Sequence, residues 1–213
     1  MFSTHVDEYG TVLKNVDDGY KGVYEHDGKT AKDVEKTYSK TNTGAGGEKI
    51  GELGGKIDVI KIASNILKRD GQVAEGLNTA EWINKVLPGH DWDLKSQTNT
   101  IFGVAWKYNQ DIKSKTGGDN DTFFSFKCLS ENGKFTAADF GNYHAGYTGV
   151  AAGVSQRTQY SFAGLGEMAK FNGGFWKRAR EILFNVSPNG DQRPDFHYNT
   201  DGMVDAAKAG LHP

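Results

Sequence analysis

The sequence predicts an α+β chain that is predominantly α-helical, with an N-terminal β-hairpin segment and one further short strand region. Three observations lead there. Ile57, Val59, Ile60, Ile62, Ala63, Ile66 and Leu67 recur on one broad apolar face at helical spacing. Before residue 27, short apolar runs are separated by Tyr-Gly and Asp-Gly pairs, which mark tight turns. Thr122-Phe-Phe-Ser-Phe-Lys-Cys-Leu129 is dense in aromatic residues and reads as a strand.

Taken in order, residues 4–27 read as β-structure. Val12–Val16 and Lys21–Glu25 flank Asp17-Asp18-Gly19, so a hairpin is expected there, with an earlier turn at Tyr9-Gly10. Residues 28–56 are polar and glycine-rich around Thr41-Asn-Thr-Gly-Ala-Gly-Gly47, which predicts a linker or a loosely packed surface segment. The expected organisation is therefore a β/linker segment over 1–56 and a mainly helical domain over 57–213. Gly71 is placed to end the first helix. Asn78, followed three residues later by Glu81, is a capping box opening a helix to Leu87, where Pro88-Gly89 stops it. A third helix is expected over Ile101–Ile112. Past a turn at 131–134, helices are expected over 136–153, from Ser155 onward and over 175–184. Thr200 would cap a short last helix containing Met203, Val204 and Ala207.

The chain has 213 residues, enough to bury a sizeable core without disulfides. Its single cysteine, Cys128, excludes an internal disulfide and is expected as a small buried hydrophobe. The net charge of −2 gives nucleic-acid binding no support from bulk charge, although a local basic stripe would suffice. The only basic cluster is Lys177, Arg178 and Arg180, of a kind common on solvated helix faces. No apolar run approaches the roughly 18–20 residues needed to span a bilayer. The N-terminus lacks the basic and apolar regions of a signal peptide, so export would depend on another segment or machine.

Asp139-Phe-Gly-Asn-Tyr-His-Ala-Gly-Tyr-Thr-Gly149 is the leading candidate site. It places an acid, a carboxamide, an imidazole and three glycines in one predicted helix, where each interior glycine costs about 1 kcal/mol relative to alanine. Asp139, Asn142 and Tyr143 share a helix face, and Gly146, Gly149 and Gly153 form a small-residue groove. The glycines alone are explained by close helix packing; the polar residues are not. His144 is the natural acid/base near neutral pH, and a kink or loop would gather it with Asp139 and Asn142. The other histidines, His5, His26, His90, His197 and His212, are scattered. Glu167, in a small apolar segment, is a candidate acid. Asp191, Arg193 and Asp195 form a charged cluster in which Arg193 could clamp a phosphate. In Trp92-Asp93-Leu94-Lys95, Lys95 could stabilise an anion that Asp93 orients. There is no HExxH or CxxC spacing, P-loop or dinucleotide fingerprint. No cofactor is required, and a divalent metal on His144 and Asp139 stays open.

Several of these segments resemble known sequences. His5-Val-Asp-Glu-Tyr-Gly-Thr-Val-Leu13, Asp17-Asp-Gly19, Gly22-Val-Tyr-Glu-His26 and Gly46-Gly-Glu-Lys-Ile-Gly-Glu52 resemble the segment after the shell of bacterial RHS-repeat proteins. Trp92-Asp-Leu-Lys95, Asp139–Gly149, Ala151-Ala-Gly-Val154, Ala163-Gly164, Gly190-Asp191 and Asp195 resemble the polymorphic toxin type 44 family. The first resemblance covers about residues 4–55 and the second about 80–213. Together they imply a secreted antibacterial effector domain, carried in a parent RHS shell, delivered into a target cell and neutralised by a cognate immunity protein. The family is described as ribonuclease toxins.

Three functions follow. In a ribonuclease, His144 acts as base or acid, Asp139 and Asn142 orient it or the substrate, Arg193 or Lys95 stabilises the transition state, and Glu167 or Asp191 supplies the second proton-transfer group. Asp93, Gly146 and Asp195 would contribute to substrate binding. In a peptidoglycan hydrolase, Glu167 is the acid and Asp139 or Asp191 its partner. In a non-catalytic toxin, the glycine-rich helices pack against a partner.

Overall fold

A computed structural model describes residues 1–116, 121–126, 135–170 and 193–211. The fold is α+β: among the described residues helix predominates, as expected, beside one mixed six-stranded sheet. In chain order the described elements are β1 (Ser3–Asp7), β2 (Val12–Val16), β3 (Gly22–His26), α1 (Ala31–Thr37), β4 (Glu48–Glu52), β5 (Lys56–Asp58), α2 (Ile60–Ala74), α3 (Thr79–Val86), a 3-10 turn (Leu94–Ser96), α4 (Ile101–Thr116), β6 (Phe123–Ser125), α5 (Ala137–Ala151), α6 (Gln156–Lys170) and α7 (Arg193–Lys208). The strand order is β2-β1-β3-β4-β5-β6. Cys128, the turn at 131–134 and the helix expected over 175–184, with its basic cluster, lie outside the described residues.

The chain forms two compact units. The first is a sheet unit, built from Met1–Ile66 and from the segment starting at Leu94 that carries α4 and β6. Its N-terminal hairpin joins β1 to β2 through the Tyr9-Gly10 turn, not β2 to β3 through Asp17-Asp18-Gly19. β3 instead pairs with β1, in parallel. The Asp-Gly turn is real, since Gly19 has φ +82°. However, Asp18 is committed elsewhere: its carboxylate accepts the Ser3 N–H at 3.1 Å and the Ser3 hydroxyl at 2.6 Å. That anchors the turn at the start of β1, and the chain then crosses to the far side of that strand. The polar stretch 28–56 holds α1, opened by a Thr30/Asp33 capping box, and β4, which pairs antiparallel with β3.

Side chains alternate across the sheet. Val6, Val23, Ile57 and Phe124 fall on one face and are fully buried or nearly so. Ile62, Ile101 and Phe102 bury with them, with Phe124 and Phe102 rings 5.0 Å apart. Each such side chain contributes about 1.5–3 kcal/mol when fully buried. Gly10 lies against this layer: a Cβ there would stand 2.9 Å from Ile62 Cγ2, and its φ is +72°.

The second unit is helical, built from Leu67–Asp93 and the helices after Ala138. One of its core clusters joins Ala74, Trp82, Trp92, Ala151 and Val154; another joins Val150, Tyr160, Met203 and Ala206. Asn78 caps α3 as expected, with the reciprocal Glu81 bond in place. Two expected boundaries move. Gly71 lies inside α2, where a Cβ would approach Tyr147 to 3.2 Å, so this glycine makes room for a ring and does not end the helix. Thr200 lies within α7, and its hydroxyl is 2.8 Å from the Tyr160 hydroxyl of α6. No helix among the described residues is long and apolar enough to cross a membrane.

Candidate active site

α5 runs without interruption from Ala137 to Ala151, and its glycines account for how closely it is packed. At Gly146 a Cβ would stand 2.0 Å from the Asn199 carbonyl of α7. In return, a Cβ on Gly202 of α7 would stand 2.0 Å from the Tyr143 carbonyl of α5. Backbone meets backbone there, so neither position has room for a side chain. Gly149 accommodates the Gln159 side chain in the same way. Gly153, with φ +70°, ends the helix in a Schellman motif: Val154 N–H bonds the Gly149 carbonyl and Gly153 N–H the Val150 carbonyl, both at 2.9 Å. The small-residue groove, Gly146 included, is therefore occupied by protein.

His144 is carried into the interior by this packing. It is 0% exposed, and its Nε2 lies 2.9 Å from Oδ2 of Asp70 on α2, itself only 3% exposed. A carboxylate only accepts, so Nε2 carries the hydrogen and donates it. Nδ1 is buried, with no hydrogen-bond partner among the described residues. The Trp92 ring meets the imidazole edge to face at 5.4 Å, and Phe140 lies 6.4 Å away. One turn on, the Thr148 hydroxyl donates to the His144 carbonyl at 2.8 Å and accepts the Trp82 indole N–H at 3.2 Å. Arg69 completes the charge balance, its Nε donating to Asp70 Oδ1 at 2.8 Å. Burial pushes the Asp70 carboxyl up, but hydrogen bonds from His144 and Arg69 outweigh it and hold the group below the usual carboxylate range.

Asp139 and Asn142 do not converge on His144. With α5 unbroken, Asp139 and His144 are five positions apart, about 140° around the helix, and Asn142 is on nearly the opposite side from His144. Asp139 lies in the first turn of α5, where a carboxylate favours the helix dipole. The Asn142 carbonyl accepts a bond from Asn199 Nδ2 at 3.4 Å. Asp93 is buried and accepts the Gly89 N–H at 2.8 Å, closing the Pro88-Gly89 loop. Lys95 belongs to the 3-10 turn of the sheet unit. Glu167 falls within α6, and Arg193 and Asp195 within the first turn of α7, as backbone positions. Asp191 lies outside the described residues. Among those described, no group of three His, Cys, Asp or Glu side chains is placed to hold a metal.

Asp70 is the residue that sequence reasoning missed, and a signal for it existed. Ile62, Ile66, Asp70 and Ala74 recur every four residues on α2, and all are buried. A carboxylate in register with an apolar stripe needs a partner. A histidine oriented by a buried carboxylate on one nitrogen, with the other nitrogen unclaimed, is chemically a proton-transfer pair. Comparison of the chain with known protein families, with curated proteins and with solved structures finds no match.

Proposed function

We propose that the chain is the C-terminal toxin domain of a polymorphic RHS-type bacterial effector and that it hydrolyses RNA inside a target cell. In this reading a parent shell delivers it and a cognate immunity protein neutralises it. The observation carrying the reading is the Asp70–His144 pair, because it fixes one tautomer and leaves Nδ1 unclaimed; that nitrogen is buried, so taking a proton from a ribose hydroxyl requires the packing around it to open. Asp70 is a positioning residue that acts through His144. Glu167, Asp191 and Arg193 are the candidates for the second proton-transfer group and the phosphate contact.

Complete burial of both partners favours a second reading, in which the pair only locks the helical unit and toxicity comes from binding. Expression in the cytoplasm and in the periplasm of a bacterial host separates these readings. The ribonuclease reading expects arrest and RNA fragmentation from the cytoplasm alone. It expects His144→Gln to lower cleavage by about 10²–10⁴-fold while the circular dichroism spectrum is retained. Asp70→Asn should displace the pH profile of cleavage, which a purely structural residue would not do. A folded, fully toxic His144→Gln variant points to the binding module. Lysis from the periplasm alone points to a peptidoglycan hydrolase.

A further inference from the structure

The chemistry above leaves a second buried imidazole unused, in the sheet unit. β1 and β3 run parallel with His5 opposite Tyr24 and Asp7 opposite His26, so both histidines fall on one sheet face. His5 Nδ1 lies 2.9 Å from His26 Nε2. His5 is wholly buried, and its Nε2 has no hydrogen-bond partner among the described residues. Tyr24 stacks on the His5 ring at 5.4 Å and Tyr38 meets it edge-on at 6.1 Å. The glycine-rich stretch 41–47 roofs this layer. A Cβ on Gly47 would stand 2.5 Å from His26 Cε1 and 2.8 Å from the Glu25 carbonyl, and one on Gly44 would stand 3.0 Å from the Tyr24 ring. Backbone holds the rings in place.

A bond between two imidazole nitrogens contains one hydrogen: one ring donates and the other accepts. Once both rings are protonated, both facing nitrogens carry hydrogens. The bond then becomes a contact between two N–H groups and two buried positive charges. The carboxylates nearby already hold other hydrogen bonds. Asp7 Oδ1 accepts the Tyr9 and Thr11 N–H groups. The Asp18 carboxylate accepts from Ser3, Tyr20 and Tyr38. Glu25 falls on the opposite sheet face, with Oε1 3.0 Å from Lys61 Nζ. Lys14 on β2 and Lys29 after β3 add positive charge.

We propose that the His5–His26 pair is an acid-sensitive latch: it clasps β1 to β3 at neutral pH and releases them when the chain is acidified, loosening the sheet unit. The latch does not depend on the hydrolase reading, and each can fail alone.

Burial first, then the charge of His26, lowers the His5 pKa to about 4 from 6.5; Lys14 acts in the same sense and Asp18 opposes. Burial and then Lys29 lower His26. A histidine that resists protonation only when folded contributes stability fully above about pH 6.5, lost as pH falls towards 4. Glu25 has the opposite sign, since burial raises its pKa and favours the folded state as pH falls. That effect starts at the ordinary carboxylate pKa and extends upward from it, so it opposes the histidine loss within the same window.

The test is thermal unfolding of the full chain at pH 7.5 and 4.5, followed by residue-resolved NMR at Val6 and Val23 in the sheet unit and at Val154 and Met203 in the helical unit. The latch predicts that the sheet unit's unfolding constant rises on acidification by roughly two orders of magnitude. The helical unit should move little, and the joint variant His5→Gln/His26→Gln should flatten the sheet unit's response. An unchanged sheet unit, or an equal drop in the double variant, overturns the latch. If that variant does not fold, ring-nitrogen spectra of the wild-type chain decide. His5 still unprotonated at pH 5.5 supports the latch, and His5 titrating like an ordinary histidine overturns it.

Discussion

Each unit buries a histidine, and each gives it a different partner. In the helical unit His144 donates to a carboxylate, and Arg69 balances that carboxylate's charge. In the sheet unit His5 faces a second imidazole, and the Asp18 carboxylate near it is already bonded to Ser3. The difference is one of compensation: one buried ring donates to a carboxylate whose charge is balanced, and the other meets a second ring. Asp70 is held below the usual carboxylate range, so its contribution is present above its ordinary pKa and is lost only as pH falls through the lowered one. The His5 contribution is already draining away from about pH 6.5 towards 4. Acid should therefore reach the sheet unit first.

The sharpest way to break this comparison is to remove one partner from each pair. Asp70→Ala leaves a buried imidazole donor without its acceptor. The expected loss is about 3 kcal/mol, the upper end of the cost of leaving a buried donor unsatisfied, because the lost acceptor is charged. Asp70→Asn keeps an acceptor oxygen and should lose about 1–3 kcal/mol. His26→Ala removes one member of an uncharged pair and should also lose about 1–3 kcal/mol. Urea unfolding read by Trp82 and Trp92 fluorescence reports the helical unit. Equal losses for Asp70→Ala and His26→Ala would mean that the carboxylate adds nothing.

Glycine substitutions come next in size. Gly146→Ala drives a methyl into a helix backbone, with Asn199 O at 2.0 Å, and α5 and α7 must separate. Gly47→Ala meets the edge of the His26 ring at 2.5 Å, and behind it the Glu25 carbonyl at 2.8 Å. Overpacking of this kind costs about 1–3 kcal/mol, with Gly146→Ala at the upper end because no side chain can rotate away. Melting curves of the two variants test that order, and a larger loss at Gly47 would show the loop over the histidines to be the more rigid of the two sites.

The same residues show how far the sequence could be read. Asn78 and Glu81 carry their capping geometry within four residues, and the α3 boundary was legible for that reason. Local information also sufficed for the position of the Asp17-Asp18-Gly19 turn. It did not say which strand β3 would pair with, because that depends on Asp18 being claimed by Ser3, fifteen residues away. The glycines of 41–47 looked like linker because their reason lies in the rings of Tyr24 and His26 above them. His144 was legible as a functional candidate by residue type. Its partner was not, since Asp70 is 74 residues distant and only its place in an apolar stripe hinted at burial.

The smallest predicted effect compares one device present in both units. α1 opens with Thr30 and Asp33, α3 with Asn78 and Glu81, and each box satisfies two orphan N–H donors. Thr30→Ala and Asn78→Ala should each cost about 1 kcal/mol locally. The readouts should differ. α1 buries only Val34 from its seven residues, so losing its cap should appear as faster amide exchange within α1 while the melting temperature hardly moves. α3 buries Trp82, whose indole bonds Thr148 one turn from His144. Fraying that helix loosens the core cluster beneath it, so Asn78→Ala should lower the melting temperature of the helical unit. An equal and purely local effect at both caps would mean that the Trp82–Thr148 contact transmits nothing to α5.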